Sequence, residues 1–267
     1  MQVSNSYNFQ PAFGVNLNSP RLRYSQKDFF IRIRGYGKNR AWANEVKKVA
    51  DTAVYLFRKK TEPESVLKHI ALGISYANKI PLDLSKRIKT GVLRAPREDW
   101  ESVGDFRDLK TNYTVPRYKS YARRLDMIAK NPLEAPYKNI AMSYPVLFDY
   151  IYHDNAEYVN NSLNLVFELT KKIIPKYIKK EVKPENLNEI NDVVAEIRWI
   201  LANATPWLRG SDAISNVFMR AMFKAVGVKA YPPAKGISFD LEAYCRSLDD
   251  YKANFNSFFE KPPRVIE

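Results

Sequence analysis

The sequence contains few of the residues that build several common kinds of functional site. It has one cysteine, Cys245, in 267 residues, which excludes a disulfide framework and a multi-cysteine metal site. Its two histidines, His69 and His153, lack the His-Glu-x-x-His spacing of zinc proteases, so we predict no metal. Nine glycines are few for a glycine-rich dinucleotide-binding fold.

Long apolar runs are also missing. A membrane-spanning helix needs about 18 or more consecutive apolar residues, and no such run occurs, so we predict no transmembrane segment. The first 20 residues lack the apolar core of a signal peptide. They are rich in serine and asparagine, so we expect a flexible leader over residues 1–20 and a single domain, in one or two lobes, over 21–267.

The charge balance is strongly basic. Lysine and arginine number 43 against 29 acidic residues, which gives a formal net charge of +14. Such a balance suits anionic partners such as nucleotides, phospholipid surfaces or nucleic acid, but a solvated basic surface explains it equally well. No zinc-finger, homeodomain or RRM-like pattern occurs, so we do not predict specific nucleic-acid binding.

Apolar residues at helical spacing predict a mainly α protein. The predicted helices cover residues 39–59, 62–78, the later part of 111–130, 156–180, 188–204, 211–226 and 240–260. Asn39, and Asp154 or Asn155, are candidate N-caps, and Pro175 should end or kink its helix. The segment 21–38 is predicted as an extended packing arm or short strand, with a basic contact surface as the alternative. Residues 81–110 are predicted to be rich in loops, 131–145 to form a loop or flap, and 261–267 to form a loose tail.

The most informative stretch is the turn between the helices over 188–204 and 211–226. It carries Arg209, Gly210 and Ser211. Backbone N–H groups at a helix start are free to bind an anion, the helix dipole is positive there, and a guanidinium beside them adds a charge-assisted donor. The turn therefore predicts an anion site, with pairing of Arg209 to a structural carboxylate as the alternative.

Two further residues could act beside this turn. Asp240 follows the second helix after a short loop, so its carboxylate could orient a sugar hydroxyl or accept a proton. It fits a helix N-cap equally well. His153 titrates near neutral pH, although a single histidine before a helix is more often structural.

The segment PWLRGSDAI resembles the Fic motif, in which a loop between two helices holds nucleotide phosphates. Fic AMP-transferases carry a histidine directly before Pro-Phe, whereas Thr205 precedes Pro206-Trp207 here. The Gly-Asn-Gly-Arg end of the motif is also missing. We therefore do not expect ordinary AMP transfer.

A closer resemblance is to the AvrB family of bacterial type III effectors, which has a Fic-like (Fido) fold without the Fic signature. The similar segments are NRAWANEVKKVADTAV, GVLRAPR, DLKTNYTVPRYKS, HDNAEYVNNSLNLVFEL, EIRWILANATPWLRGSDAISN, AVGVKAYPPAKG and FDLEA. The resemblance implies a helical core with a smaller second lobe or flap and a cleft between two lobes. It divides the domain into N-terminal helices and loops (39–130), a flap (131–150) and a Fic-like core (151–258).

The family's pocket residues match single positions of this chain. The resemblance implies catalytic roles for Asp240, His153 and Arg209, either Asp240 or His153 being the base. It implies nucleotide contacts by these residues: Arg209, Gly210, Ser211 and Thr111. A small shift of the match would replace Thr111 by Asn112 or Thr114.

The implied ligand is a nucleotide sugar such as dTDP- or UDP-rhamnose, and the implied reaction transfers the sugar to a serine or threonine of a host protein. A type III effector would be secreted into the host cytosol, with a secretion chaperone as a further partner. Two alternatives remain open: an effector that binds a host protein without catalysis, and a Fido enzyme that transfers a nucleotidyl or phosphoryl group.

Two positions depart from the family. Arg198-Trp199-Ile200 stands where the family has a histidine followed by two tryptophans, which alters the pocket wall or the core. The chain begins Met1-Gln2-Val3, whereas the family prototype begins Met-Gly-Cys and is lipidated. We therefore expect no N-myristoylation, and any membrane association would depend on basic charge or a partner.

Overall fold

The fold is mainly α-helical, as the apolar periodicity predicts. The computed structural model describes residues 23–31, 39–78, 89–94, 99–102, 114–115, 117–130, 133–147, 150–178 and 182–266. Its helices are α1 (Arg40–Arg58), α2 (Pro63–Ala77), α3 (Arg117–Lys130), α4 (Ala156–Tyr177), α5 (Leu187–Ala204), α6 (Ser211–Ala225), α7 (Phe239–Tyr244) and α8 (Leu248–Asn254). Its strands are β1 (Asp99–Ser102), β2 (Tyr144–Leu147), β3 (Tyr150–His153), β4 (Val228–Lys229) and β5 (Arg264–Val265).

Helices α5 and α6 form the buried centre, which confirms the predicted hairpin. Side chains on several faces of α5 are fully buried, among them Ile197, Trp199 and Ile200. Helix α6 packs against α1, α2 and α5, and α5 packs in turn against α4, α7 and α8. Because both helices are covered on nearly all sides, the turn that joins them is held on a rigid base. None of the described helices is long and apolar enough to cross a membrane.

The predicted helix starts are confirmed by their caps. The side-chain oxygen of Asn39 accepts a hydrogen bond from the Trp42 amide at 2.9 Å. Asn155 caps α4 in the same way, and Pro63 is the first residue of α2. Pro175 lies inside α4 and does not end it at once, because the helix continues to Tyr177.

Short strands replace two segments that the sequence predicts as loops. β1 and β2 both pair antiparallel with β3, in the order β1-β3-β2, with Asp99 opposite His153. β2 lies in the segment 131–150 that is predicted as a flap. Each strand has only four residues, which is too short for a period-2 pattern to stand out. The prediction of loop structure was therefore wrong at residues 99–102 and at 144–145, where the segment 131–145 ends.

The C-terminal part is more ordered than predicted. The expected single helical segment is broken into α7, α8 and a 3-10 turn at Phe255–Phe258, with the Ser247 hydroxyl capping α8. The tail predicted as loose pairs through β5 with β4, Val265 facing Val228. Aromatic packing in this part explains the extra order, since rings such as Phe239 and Phe255 lie 6.0 Å apart.

The N-terminal arm packs on the core, as one of the two predictions for it stated. Gln26–Phe29 form a 3-10 turn, and Tyr24 and Phe29 are buried. The Tyr24 hydroxyl donates to the backbone carbonyl of Arg220 in α6. The leader 1–20 and the segment 32–38 lie outside the described residues. The division of the domain into N-terminal helices, flap and Fic-like core stays a prediction.

Candidate functional site

The turn between α5 and α6 contains two residues in left-handed backbone conformation. Thr205 has a φ of 39° and Gly210 a φ of 87°. A β-branched residue at positive φ is strained by about 1–3 kcal/mol and persists only where its surroundings hold it. At Gly210 a Cβ would lie 3.1 Å from a methyl group of Thr90, so both conformation and space require glycine. The turn therefore has a specific, enforced shape.

A neighbouring segment of the chain fastens this turn through backbone hydrogen bonds. The Gly91 amide donates to the carbonyl of Arg209 at 3.1 Å. The Arg94 amide donates to the carbonyl of Pro206, and its guanidinium Nε donates to the carbonyl of Thr205, both at 2.9 Å. Three carbonyl groups of the turn, those of Thr205, Pro206 and Arg209, thus accept hydrogen bonds from the segment 91–94.

The start of α6 has the properties of an anion site. In the part of the chain that the structure describes, no side chain caps the amides that follow Gly210. The Ser211 hydroxyl is instead engaged with the backbone of Trp207, at 3.1 and 3.2 Å. Arg209 is exposed and lies next to these amides in the chain. Three of the residues predicted to bind phosphate, Arg209, Gly210 and Ser211, therefore meet at one helix end.

His153 lies at the opposite end of the same turn. It ends β3, is only 4% exposed, and its Nδ1 lies 2.8 Å from the Thr205 hydroxyl and 2.7 Å from the Ser143 hydroxyl. The two hydroxyl oxygens are 2.6 Å apart. His153 of β3 and Ser143 thus contact the side chain of the residue that ends α5.

The residue after His153 also has a defined partner. The Asp154 carboxylate accepts a hydrogen bond from the Met142 amide at 2.6 Å. Burial raises the pKa of Asp154, while this hydrogen bond and the charge of Arg124 oppose the rise. Of the two candidate caps of α4, Asn155 is the one that caps it, and Asp154 fastens the segment before β2.

Asp240 makes local hydrogen bonds. Its Oδ1 accepts from the Leu241 amide at 2.8 Å and from the hydroxyl of Ser238. The alternative prediction of an N-cap at Asp240 was wrong, because α7 begins at Phe239 and Ser238 occupies the N-cap position. The described hydrogen bonds of the half-buried Asp240 carboxylate use Oδ1. Asp240 also lies within electrostatic reach of the Tyr251 hydroxyl, whose pKa is raised chiefly by burial.

Thr111 and Asn112 lie outside the described residues, so their place in the site is open. The third candidate for that position, Thr114, is described and exposed. Its amide donates to the carbonyl of Gly236 at 2.6 Å, in the loop that leads to Asp240. The segment around Thr114 is thus next to the loop that carries Asp240.

The sequence did not reveal a charged network that joins α5 to the start of α6. Arg198 is fully buried in α5, and its guanidinium bonds both Asp212 and Asn216 of α6, the latter at 3.2 Å. The Asn216 amide donates to the second oxygen of Asp212 at 3.0 Å. The guanidinium also lies 5.7 Å from the ring of Phe239. The sequence feature that could have indicated it is an arginine flanked by apolar residues, in Ile197-Arg198-Trp199 of α5.

A second buried arginine fixes the end of α5. Arg124 of α3 is fully buried and donates to the side-chain oxygen of Asn203 at 2.5 Å. Its guanidinium also lies 5.0 Å from the ring of Tyr244. The Asn203 carbonyl accepts from the Ser143 amide at 3.0 Å. Together these contacts hold the base of the turn in position from three elements.

Comparison with known protein families agrees with the resemblance seen in the sequence. The AvrB_AvrC model, which describes avirulence proteins, matches residues 112–262 and so includes the turn, His153 and Asp240. A comparison with curated protein sequences gives no match. The family match confirms the predicted AvrB-family relationship. Because it covers more than half of the 267 residues, the chain belongs to the AvrB_AvrC family and is an avirulence effector.

Proposed function

We propose that the protein binds a nucleotide sugar at the start of α6 and transfers the sugar to a serine or threonine of a host protein. The observation that carries this proposal is the uncapped helix start after Gly210 with the exposed Arg209 beside it. Helix N-termini bind phosphate, and a guanidinium adds bidentate, charge-assisted hydrogen bonds. The donor suggested by the family resemblance is dTDP- or UDP-rhamnose.

In the transfer step, the start of α6 stabilises the leaving diphosphate. The acceptor oxygen forms a bond to the anomeric carbon, and the bond from that carbon to the diphosphate breaks. The bonding electrons leave with the diphosphate, whose charge Arg209 and the first amides of α6 stabilise. Fixed donors of this kind contribute about a hundredfold or more in rate, because they need no reorganisation during the reaction.

The acceptor hydroxyl also loses a proton, and Asp240 is the better placed of the two predicted bases. Its carboxylate is half-buried, and the described hydrogen bonds use Oδ1. His153 is 4% exposed, and its Nδ1 is already bonded to two hydroxyls. We therefore assign proton acceptance to Asp240 and support of the turn to His153.

An effector also has to reach the compartment in which it meets its target. As a member of an effector family, the protein is proposed to be delivered into the host cell and to meet its target in the host cytosol. A secretion chaperone would keep it competent for delivery before that. Both points rest on the family relationship, because the geometry of the turn bears on the reaction alone.

A second candidate function is host-protein binding without catalysis. Leu72 and Tyr76 on α2 are 58% and 61% exposed and lie one helical turn apart. Val92 and Leu93, which belong to the segment that fastens the turn, are about half exposed. Exposed apolar residues close to one another are typical of protein–protein contact surfaces. Such a surface would serve acceptor docking in the enzyme or binding alone in its absence.

The experiment that tests the proposal measures sugar transfer by intact mass spectrometry. The protein is incubated with host lysate and a panel of nucleotide sugars, with Arg209→Ala beside it. We expect a mass increase of one sugar on a host protein, reduced about a hundredfold by Arg209→Ala. Arg264→Ala removes the same charge from exposed β5 and should leave the rate unchanged.

Two outcomes would decide against sugar transfer. The proposal fails if no donor produces a mass increase, or if Arg209→Ala and Arg264→Ala transfer equally fast. Host-protein capture that persists in Arg209→Ala and needs no nucleotide would favour the binding function. Transfer of label from ATP instead of a sugar would identify a nucleotidyl or phosphoryl transferase.

A further inference from the structure

Exposed basic side chains surround the β4–β5 pair. Lys229 of β4 lies directly opposite Arg264 of β5, and opposed residues of an antiparallel pair point to the same side of the sheet. The ammonium groups of Lys229 and Lys261 lie over the ring of Tyr231, at 4.9 and 5.9 Å from its centre, so the two charges share one local surface. All of these basic residues are exposed. We call Lys229, Lys261 and Arg264 the β4–β5 cluster.

Further positive charge lies close to the β4–β5 cluster. Burial is the main cause that lowers the pKa of Lys224 to about 8, and the charge of Lys229 contributes to the same effect, so these two ammonium groups are within electrostatic reach. The Lys224 ammonium also donates a hydrogen bond to the backbone carbonyl of Arg23 at 2.7 Å. Arg23 is exposed. The N-terminal arm therefore brings another cation to this end of the molecule.

Carboxylates do not neutralise the β4–β5 cluster within the part of the chain that the structure describes. Its cations form no ion pair with a described acidic residue, Glu260 included, although Glu260 directly precedes Lys261. Asp28 and Asp51 act on Lys224, but each has a cationic partner of its own. Because like charges that face each other across a sheet repel, the cluster favours an anionic partner.

The surroundings of the cluster favour a bilayer over a nucleic acid or a peptide. Single-stranded nucleic acids stack their bases on open aromatic faces, whereas Tyr231 is half-buried and has two ammonium groups over its ring. A peptide that adds a strand needs a long free edge, whereas β4 and β5 have two residues each and pair with one another. An anionic bilayer requires only exposed cations on one side of the protein, and tyrosine is common at the level of its headgroups.

We propose that the β4–β5 cluster is a membrane-contact surface that binds the anionic phospholipids of a bilayer. The contact is electrostatic and reversible, because the headgroup phosphates and carboxylates accept charge-assisted hydrogen bonds from the exposed lysines and arginine. Tyr231 keeps the side chains of Lys229 and Lys261 together at this surface. The membrane contact goes beyond sugar transfer and does not depend on it.

The number of cations sets the expected strength of the contact. Each lysine or arginine near an anionic bilayer changes the partition coefficient by about fivefold, so the three cations together account for about a hundredfold. The attraction extends over about one Debye length, which falls from about 10 Å at 0.1 M salt to about 3 Å at 1 M. Binding should therefore require anionic lipid and should disappear at high salt.

The test measures sedimentation of the full chain with vesicles at low salt. The vesicles contain phosphatidylcholine alone, or phosphatidylcholine with about 30% phosphatidylserine. The cluster variant combines these substitutions: Lys229→Gln, Lys261→Gln and Arg264→Gln. The wild-type protein should bind the anionic vesicles and not the neutral ones, and the cluster variant should bind the anionic vesicles about a hundredfold more weakly.

A matched control variant has the same net charge as the cluster variant. It removes exposed lysines that are scattered over α1, the segment 133–147 and α4: Lys48→Gln, Lys138→Gln and Lys172→Gln. This variant should bind anionic vesicles within about threefold of the wild-type affinity, because salt screens charges that lie outside the contact. Circular dichroism confirms that folded proteins are being compared.

A fluorescent label reports which surface meets the bilayer. An environment-sensitive dye is attached at Lys261→Cys or at Lys48→Cys, each combined with Cys245→Ser so that only one thiol reacts. With anionic vesicles, the emission of the dye at position 261 should shift to the blue because the dye leaves bulk water. The emission of the dye at position 48 should stay unchanged.

Several results would overturn the membrane contact: equal loss of vesicle binding in the cluster and control variants, equal binding to neutral and anionic vesicles, or a dye response at position 48 and not at 261. A failure to bind vesicles would also overturn it, including the case in which the cluster binds single-stranded RNA or an acidic peptide instead. Sugar transfer to a soluble acceptor needs no membrane, so the cluster variant should keep the wild-type rate of the proposed reaction. Failure of the membrane contact therefore leaves the proposed function standing, and failure of sugar transfer leaves the membrane contact standing.

Discussion

Removing Arg198 and removing Asp212 from their ion pair should change the free energy of unfolding by different amounts. Arg198 is fully buried, whereas the side chain of Asp212 is 41% exposed. Removing one partner of a buried ion pair costs about 3–5 kcal/mol when it leaves an uncompensated charge in the interior. The consequence of each substitution therefore depends on which charge is left behind.

Asp212→Ala leaves the buried charge. The Arg198 guanidinium then keeps two neighbours, the side-chain oxygen of Asn216 at 3.2 Å and the ring of Phe239 at 5.7 Å. Its Nη1 has no hydrogen-bond partner among the described residues even in the wild-type protein. We expect a loss of about 3–5 kcal/mol in the free energy of unfolding. Arg198→Met leaves Asp212, which water can solvate and which the start of α6 favours, so we expect a loss of about 1 kcal/mol or less.

Urea unfolding followed by circular dichroism measures both values, and the double variant completes the cycle. Arg198→Met with Asp212→Ala removes both charges, so it should be about 2–3 kcal/mol more stable than Asp212→Ala alone. The exposed pair of Lys176 and Glu189 is the control, because Glu189→Ala should cost under about 1 kcal/mol. The reasoning is refuted if Arg198→Met is the more destabilising single change, or if the two losses add.

Three other predictions concern stability. Burial lowers the pKa of Lys224 to about 8, so this side chain binds more protons in the unfolded chain between pH 8 and about 10.5, and its contribution to stability should rise with pH across that window. The raised pKa values of Cys245 and Tyr24 act in the opposite direction, so the test is the difference in urea midpoint between wild type and variant at pH 7.5 and 10: it should change in favour of wild type for Lys224→Met and stay constant for the exposed control Lys138→Met. Gly210→Ala should lower the free energy of unfolding by about 1–2 kcal/mol at neutral pH, since the φ of Gly210 is 87° and the new methyl group would lie 3.1 Å from Thr90. A loss below about 0.5 kcal/mol, which is typical of a surface substitution, would contradict a strained turn. Thr205→Val should lower the free energy of unfolding by about 1–3 kcal/mol, because it leaves His153 and Ser143 without the Thr205 hydroxyl. Thr205→Ser keeps the hydroxyl and should retain most of that stability in the same unfolding assay.

Local rules explain why much of the helical framework could be predicted. The caps Asn39 and Asn155, the stop at Gly227 and the apolar stripes of α5 and α6 depend on residues only a few positions apart. The turn at Gly210 and the start of α6 could be predicted for the same reason, since both depend on neighbouring residues. Such signals survive in a single sequence because they do not depend on tertiary partners.

The missed features depend on partners that are distant in sequence. β1 acquires its structure by pairing with β3, about 50 residues later, and four residues alone carry too little pattern. Arg124 and Arg198 look like surface charges until the folded chain supplies Asn203 and Asp212. The bonds of His153 with Ser143 and Thr205 likewise join residues up to 52 positions apart. Tertiary contacts, and not local propensity, decide these cases.

The two ends of the turn between α5 and α6 differ in their surroundings. The helix start after Gly210 offers positive potential at the surface, whereas the imidazole of His153 is buried at the other end of the turn. Its Nδ1 is engaged by the two hydroxyls that hold the strained Thr205. These contacts support the proposal that His153 acts through the shape of the turn and that proton acceptance falls to the more accessible Asp240.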